Sequence, residues 1–206
     1  MSAFKVSVIG GGSFGTVIAN ITAENGHDVG FWMRSESQAQ ELNRLHENSQ
    51  YLPDYRLNER IHATSDMAEA VKGSRLIFVA VPSSSFRQVV SDMVPYIPED
   101  AILVSTTKGI EAGSFAMMSQ ILNQEAPRAK VGVLSGPNLA LEIAKKDLAG
   151  TVIASPHEDV RDIVKSALKS KYFRVYANND MFGVELGGSL KNIYAIIAGI
   201  AAALGM

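Results

Sequence analysis

Short runs of Val, Ile, Leu and Phe recur along the chain, separated by segments in which apolar residues return every three or four positions. The runs at 4–9, 28–32, 76–81, 101–105, 130–134, 151–154 and 173–176 predict strands, and several are apolar throughout rather than alternating. Strands buried on both faces have that pattern. The amphipathic segments at 14–25, 35–45, 67–71, 84–93, 114–123, 139–145 and 160–168 predict helices between them. Such alternation calls for parallel pairing through right-handed crossovers, hence an α/β doubly wound sheet.

Near Asn178 the pattern changes, and from Asn179 onward the chain reads as one long helix. A domain boundary is therefore expected there, dividing 1–178 from 179–206. The last 14 residues, from Ile193 to Met206, are apolar nearly all round. That is short of the roughly 20 residues that span a bilayer. A helix of this kind is expected to be buried in a larger core. It stops at Met206 without a polar last turn or a stop signal, so the expectation is a chain truncated inside its second domain, with a C-terminal helix tucked into its own domain as the alternative.

The first predicted strand runs into Gly10-Gly11-Gly12-Ser13-Phe14-Gly15, and a helix follows. In a strand–turn–helix context, Gly10 permits the tight turn, Gly12 lets a ligand's pyrophosphate approach the backbone, and Gly15 lets the helix pack on the strand. The helix start then presents N–H groups and a positive dipole end to phosphate. A P-loop is excluded, since no Gly-Lys-Ser/Thr follows. Residues 1–178 thus read as a Rossmann-type dinucleotide-binding domain. NAD-preferring sites place an acid at the end of the second strand for the ribose hydroxyl. Here that end carries Arg34 and Ser35, while Asp28 stands at the opposite end of the strand. A guanidinium suits a 2′-phosphate, so the expected cofactor is NADP(H), with NAD(H) as the alternative. A solvated arginine at a helix start is the plainer account of Arg34.

In an open sheet of this type the ligand lies over the carboxyl ends of the strands. Val81-Pro82-Ser83 ends one strand in a fixed turn that could floor the cofactor. Lys108 follows another, and Ser135-Gly136-Pro137-Asn138 a third, where Asn138 is placed to cap a helix. Plain turn chemistry and a surface lysine are the alternatives at those two places. On the long helix, Lys191 lies four residues after Gly187 and three after Gly188. The two bare positions beside one amine could seat a nicotinamide or a small substrate. Glu185, Ser189 and Asn192 share a neighbouring face. Burial, or Lys108 close by, would lower a lysine pKa toward the acid–base range. A salt-bridged lysine beside helix-packing glycines is the alternative there.

Composition narrows the classes. With net charge -2 and no basic surplus, nothing points to nucleic acid. The absence of cysteine excludes disulfides and thiolate metal sites and suits a reducing cytoplasm. The start of the chain runs directly into strand pattern, with no basic and apolar leader visible. The four histidines do not cluster at metal-ligand spacing.

Several segments coincide with one family. Val8 to Thr16, Trp32-Met33-Arg34, Tyr51-Leu52-Pro53, Ala80 to Ser83, Thr107-Lys108-Gly109, Ser135-Gly136-Pro137 and Gly183 to Asn192 are collinear with its motifs and cover the chain. The chain resembles the bacterial-type NAD(P)-dependent glycerol-3-phosphate dehydrogenases. The resemblance implies interconversion of dihydroxyacetone phosphate and sn-glycerol 3-phosphate, feeding glycerophospholipid synthesis in the cytoplasm, by an enzyme that is a candidate homodimer. It implies cofactor contacts at Ser13, Phe14, Arg34, Tyr51, Lys108 and Ala140, beside Gly10, Gly12, Gly15 and Pro82 from the turn and crevice patterns. It implies substrate contacts at Lys108, Gly136, Asn138 and Lys191. Lys191 matches the family's proton acceptor, so Lys191 and Lys108 are the catalytic candidates. Phe14 stands where Trp or Tyr is usual, and Asn138 where Thr or Ser is usual. The family's C-terminal helical domain supplies an aspartate and an Arg-Asn pair for the substrate, and this chain stops inside that domain's first helix. The alternatives are a related hydroxyacid or sugar-phosphate dehydrogenase, and a non-catalytic NADP(H)-binding module.

Overall fold

The structure, a computed structural model, describes residues 3–205, without the side chain of Asn192. The glycine turn joins β1 (Lys5–Ile9) to α1 (Ser13–Glu24), and β2 (Asp28–Trp32) and α2 (Glu36–Leu45) follow. Next come a hairpin of β3 (Glu47–Asn48) and β4 (Leu52–Arg56), then β5 (Ile61–Thr64) and α3 (Met67–Val71). The chain continues through β6 (Leu76–Val79), α4 (Phe86–Met93), β7 (Ile102–Ser105), α5 (Met118–Glu125) and β8 (Lys130–Ser135). Last are α6 (Ala140–Ala144), β9 (Ala149–Ala154), α7 (Glu158–Leu168), β10 (Phe173–Asn178) and α8 (Met181–Ala203).

The eight-stranded sheet has the order β10-β9-β8-β7-β6-β1-β2-β5. From β5 to β8 all pairs are parallel, and the chain order reverses between β1 and β6. Ligands bind in the crevice at such a reversal. The continuous apolar runs have a direct cause in the pleat. Val6, Val8, Phe78 and Val104 enter the core on one face, while Ile9, Ile77, Val79 and Leu103 enter the core on the other. Successive side chains point to opposite faces, and here both faces are covered. Truncating a side chain such as Phe78, which is fully buried, would cost about 3–5 kcal/mol.

Four expectations are corrected. β9 pairs antiparallel to β8 instead of parallel. The intervening α6 has five residues, which rise only about 7–8 Å, well short of the roughly 20 Å needed to carry the chain back along a six-residue strand. β9 and β10, linked by the 11-residue α7, are parallel to each other. The helix expected at 114–123 begins only at Met118, because Glu111 N–H bonds Ala116 O and Ile110 bridges Met117, closing a turn through Gly113 (φ 91°). The hairpin, short and largely polar, was not expected, and β5 around His62 is short as well. Finally, α8 is not buried: Ile193, Tyr194, Ile196, Ile197, Ile200 and Leu204 are all exposed, since no other described element covers that face. No single helix among the described residues is long and apolar enough to cross a membrane.

Candidate active site

A cleft of about 790 Å³ opens over the carboxyl ends of β1, β2, β6 and β7. Of the sequence-derived cofactor candidates, Gly10, Gly12, Ser13, Phe14, Gly15, Arg34, Tyr51, Pro82 and Lys108 line it together. The local geometry explains the glycines. Gly10 has φ 125°, and a Cβ there would collide with the Ala80 carbonyl; a Cβ on Gly15 would collide with the Gly10 carbonyl. Gly12 differs from both. Its φ of -79° suits any residue, and a Cβ there would meet nothing within 4 Å. Gly12 also caps α1 without a side-chain hydrogen bond, so the first helical N–H groups have no side-chain cap. The bare position and the uncapped amides fit a pyrophosphate approaching the backbone.

The hairpin closes the cleft beside this turn. Asn48, 2% exposed, donates from Nδ2 to Gly11 O (2.9 Å) and to Thr16 Oγ1 (2.7 Å). Gln38 Nε2 also donates to Gly11 O (3.3 Å), and Ser13 Oγ donates to Tyr51 O (2.8 Å). The turn conformation is thus held by α2 and the hairpin, a role for Gln38 and Asn48 that the sequence pattern did not reveal. Asp28 is exposed at the start of β2 and pairs with Arg60 (3.1 Å), at the far end of the strand from Arg34. Arg34 lines the cleft with an exposed guanidinium and no ion pair among the described residues.

The other candidates lie beyond Lys108. Lys108 is half-buried, and its Nζ donates to Gly136 O (3.0 Å), which bridges β7 to the end of β8. Its pKa is lowered to about 8, mainly by desolvation and then by the Lys191 ammonium beside it. Lys108 and Lys191 are therefore neighbours across 83 positions of sequence, as the difference of their numbers gives. The expected burial of Lys191 is not found; it is exposed on α8, whose neighbouring Ile193 and Tyr194 are also exposed. Gly187 and Gly188 do not act alike either. Gly187 faces open space, whereas a Cβ on Gly188 would collide with Ser135 Oγ, so Gly188 is the contact where α8 rests on β8. Asn192's side chain lies outside the described residues.

Asn138 does not cap a helix. Leu139 is the N-cap of α6, without a side-chain bond, while Asn138 Nδ2 donates to Thr151 Oγ1 (3.0 Å). Thr151 in turn donates to Ser135 O (3.1 Å), and Asn138 Oδ1 is buried without a partner. Ala140 starts α6, partly buried against the core, and does not line the cleft. The long helix is held by two further residues. Glu185, 2% exposed, accepts from Ser119 N–H (3.0 Å) and Ser119 Oγ (2.5 Å), and burial raises its pKa. Ser189 Oγ accepts from Gly109 N–H (3.1 Å).

The family model for the NAD-dependent glycerol-3-phosphate dehydrogenase N-terminus matches residues 5–161, and that for its C-terminus matches 180–206. The chain belongs to this family. It is similar to the glycerol-3-phosphate dehydrogenase [NAD(P)+] of Teredinibacter turnerae, with 52% identity over 99% of this chain and 60% of that protein. A protein of the same name from Azotobacter vinelandii is 54% identical over 98% of this chain and 59% of its own length. Among solved structures, glycerol-3-phosphate dehydrogenase from Coxiella burnetii superposes with a TM-score of 0.91 at 33% identity, over 98% of this chain and 62% of that one. The chain thus spans about 60% of the length of the curated relatives it matches.

Proposed function

We propose that the protein carrying this chain interconverts dihydroxyacetone phosphate and sn-glycerol 3-phosphate with NADP(H), and with NAD(H) as the alternative, in the cytoplasm and toward glycerophospholipid synthesis. The observation that carries this reading is the pair of lysines at the end of the cleft, Lys108 bonded to Gly136 O and Lys191 beside it. The name of the relatives, glycerol-3-phosphate dehydrogenase [NAD(P)+], supports the same substrate and cofactor.

When bound, a reduced nicotinamide would supply the hydride that the ketone carbon accepts. Negative charge then builds on the carbonyl oxygen and needs a cation and a proton. With its pKa near 8, Lys108 is mostly protonated at neutral pH, so it offers positive charge to that oxygen and orients the substrate. Lys191 gives the proton in reduction and takes it back in oxidation. Gly10, Gly12, Ser13, Phe14, Gly15, Tyr51 and Pro82, which line the cleft, would hold the cofactor, and Arg34 would pair with a 2′-phosphate. Gly136 and Asn138 would border the substrate, whereas a cofactor contact at Ala140, which does not line the cleft, rests on the family resemblance alone.

Residues 1–178 form the dinucleotide-binding domain, and α8 belongs to a second, helical one; the exposed apolar face of α8 and the match at 180–206 support that division. A homodimer is part of the same reading. The test uses this chain joined to the remaining C-terminal part of the Teredinibacter turnerae protein. Dihydroxyacetone phosphate should drive oxidation of NADPH by that protein, and Lys191→Ala should abolish it with NADPH binding intact. Near-normal turnover in the variant would remove Lys191 from the mechanism.

A further inference from the structure

We propose that Glu185 is a positioning residue, whose buried carboxylate ties α8 to the start of α5 and so sets Lys191 against Lys108. This rests on the roles proposed above for the two lysines. Three contacts hold α8 at this place. Glu185 accepts both hydrogen bonds from Ser119, in the first turn of α5. One turn further along α8, Ser189 Oγ accepts from the N–H of Gly109, the residue after Lys108. On the adjoining side Gly188 lies against Ser135 at the end of β8.

Glu185 and Ser189 are four residues apart, so they share one helical face. That face grips both ends of the segment between β7 and α5, which carries Lys108. Lys191 follows Ser189 by two residues, so its place relative to Lys108 is set by this grip. The arrangement also explains a carboxylate where a core would prefer an apolar residue. A buried carboxylate is costly unless its oxygens are hydrogen-bonded, and here each oxygen has a donor from Ser119. No chemical step needs Glu185, because its oxygens are committed to α5.

A residue that only adds stability would leave Lys108's titration unchanged when removed from a folded chain. A positioning residue would not, because the Lys191 ammonium is part of what lowers the Lys108 pKa to about 8. The measurement is the pH dependence of acetic anhydride labelling at Lys108, read by mass spectrometry on the 206-residue chain, with circular dichroism as the check on folding. Glu185→Ala should raise the Lys108 midpoint by about one pH unit, the scale of one nearby charge in a partly solvated site. Lys191→Ala should raise it similarly, and the double variant should raise it no further. Glu185→Gln should keep the original midpoint, since its amide can accept from Ser119 N–H and donate to Ser119 Oγ.

If Glu185→Ala does not fold, Ser119→Ala removes one of the two bonds and should give a smaller rise. An unchanged midpoint in folded Glu185→Ala or Ser119→Ala would overturn the inference. So would additive shifts in the double variant, or a Glu185→Gln chain that behaves like Glu185→Ala. The titration needs no substrate. It can therefore fail while turnover of dihydroxyacetone phosphate stands, and the reverse failure leaves the clamp untouched.

Discussion

Gly12→Ala separates a glycine required by a ligand from one required by the fold. In the folded chain a methyl at Gly12 would meet nothing within 4 Å, and the backbone there suits alanine. Restricting the unfolded chain contributes about 0.4–1 kcal/mol of stability. Alanine is a poorer N-cap than glycine, which costs up to about 1 kcal/mol. The two terms nearly cancel, so the melting temperature should move by no more than about 4 °C. Binding should respond quite differently, because the methyl would stand where pyrophosphate must approach the uncapped start of α1. Losing one hydrogen bond to a charged phosphate costs about 1.5–3 kcal/mol, so the NADPH Kd should rise at least about tenfold. Gly15→Ala is the opposite case, with its methyl driven into the Gly10 carbonyl. Backbone cannot give way there, and a cost of about 1–3 kcal/mol should lower the melting temperature by about 2–12 °C. Thermal unfolding by circular dichroism and NADPH fluorescence titration measure both variants. A Gly12→Ala chain that binds NADPH as tightly as the parent would refute the reasoning, as would one that loses several kcal/mol of stability without ligand.

Arg34→Gln should weaken NADPH about tenfold and leave NADH nearly unchanged, because only the former carries the 2′-phosphate; equal losses in the two titrations would contradict that assignment. Gly188→Ala should leave α8 as stable as before or stabilise it by up to about 1 kcal/mol in urea unfolding, because Ser135 Oγ can rotate away from the new methyl and alanine is the better helix former; a loss of several kcal/mol would contradict that reading of the contact. Lys108→Met should stabilise the chain at neutral pH. The folded pKa of about 8 lies below the unfolded value of 10.5, so the unfolded chain binds more protons between those values and stability rises with pH across that window. After allowance for solvent screening at a half-exposed amine, the gain at pH 7 is roughly 1 kcal/mol, and it should vanish toward pH 10.5.

The parts of the fold written locally were legible in the sequence. The strands of the parallel core show as apolar runs because adjacent residues such as Ile77 and Phe78 serve opposite covered faces. The glycine turn shows because Gly10 and Gly15 answer to contacts within a few residues of themselves and to Ala80. What stayed hidden depends on partners far along the chain. Asn48 looks like any polar loop residue until it bonds Gly11 and Thr16. Glu185 looks like a solvated helix residue until α5 delivers Ser119 to it, 66 positions away. The direction of β9 turns on the length of a five-residue helix, and element ends are the least certain part of any pattern. Lys191 was legible as a candidate, but its exposure was not, because Ile193 and Tyr194 beside it on α8 are apolar and yet exposed.

The central claim is that two lysines beside a dinucleotide cleft serve reduction of a phosphorylated ketone. The direct measurement is NADPH oxidation with and without dihydroxyacetone phosphate, by this chain joined to the C-terminal part of the Teredinibacter turnerae protein. Turnover should require the ketone, be faster with NADPH than with NADH, and disappear in Lys191→Ala while NADPH still binds. NADPH binding with no oxidation on adding dihydroxyacetone phosphate would contradict it.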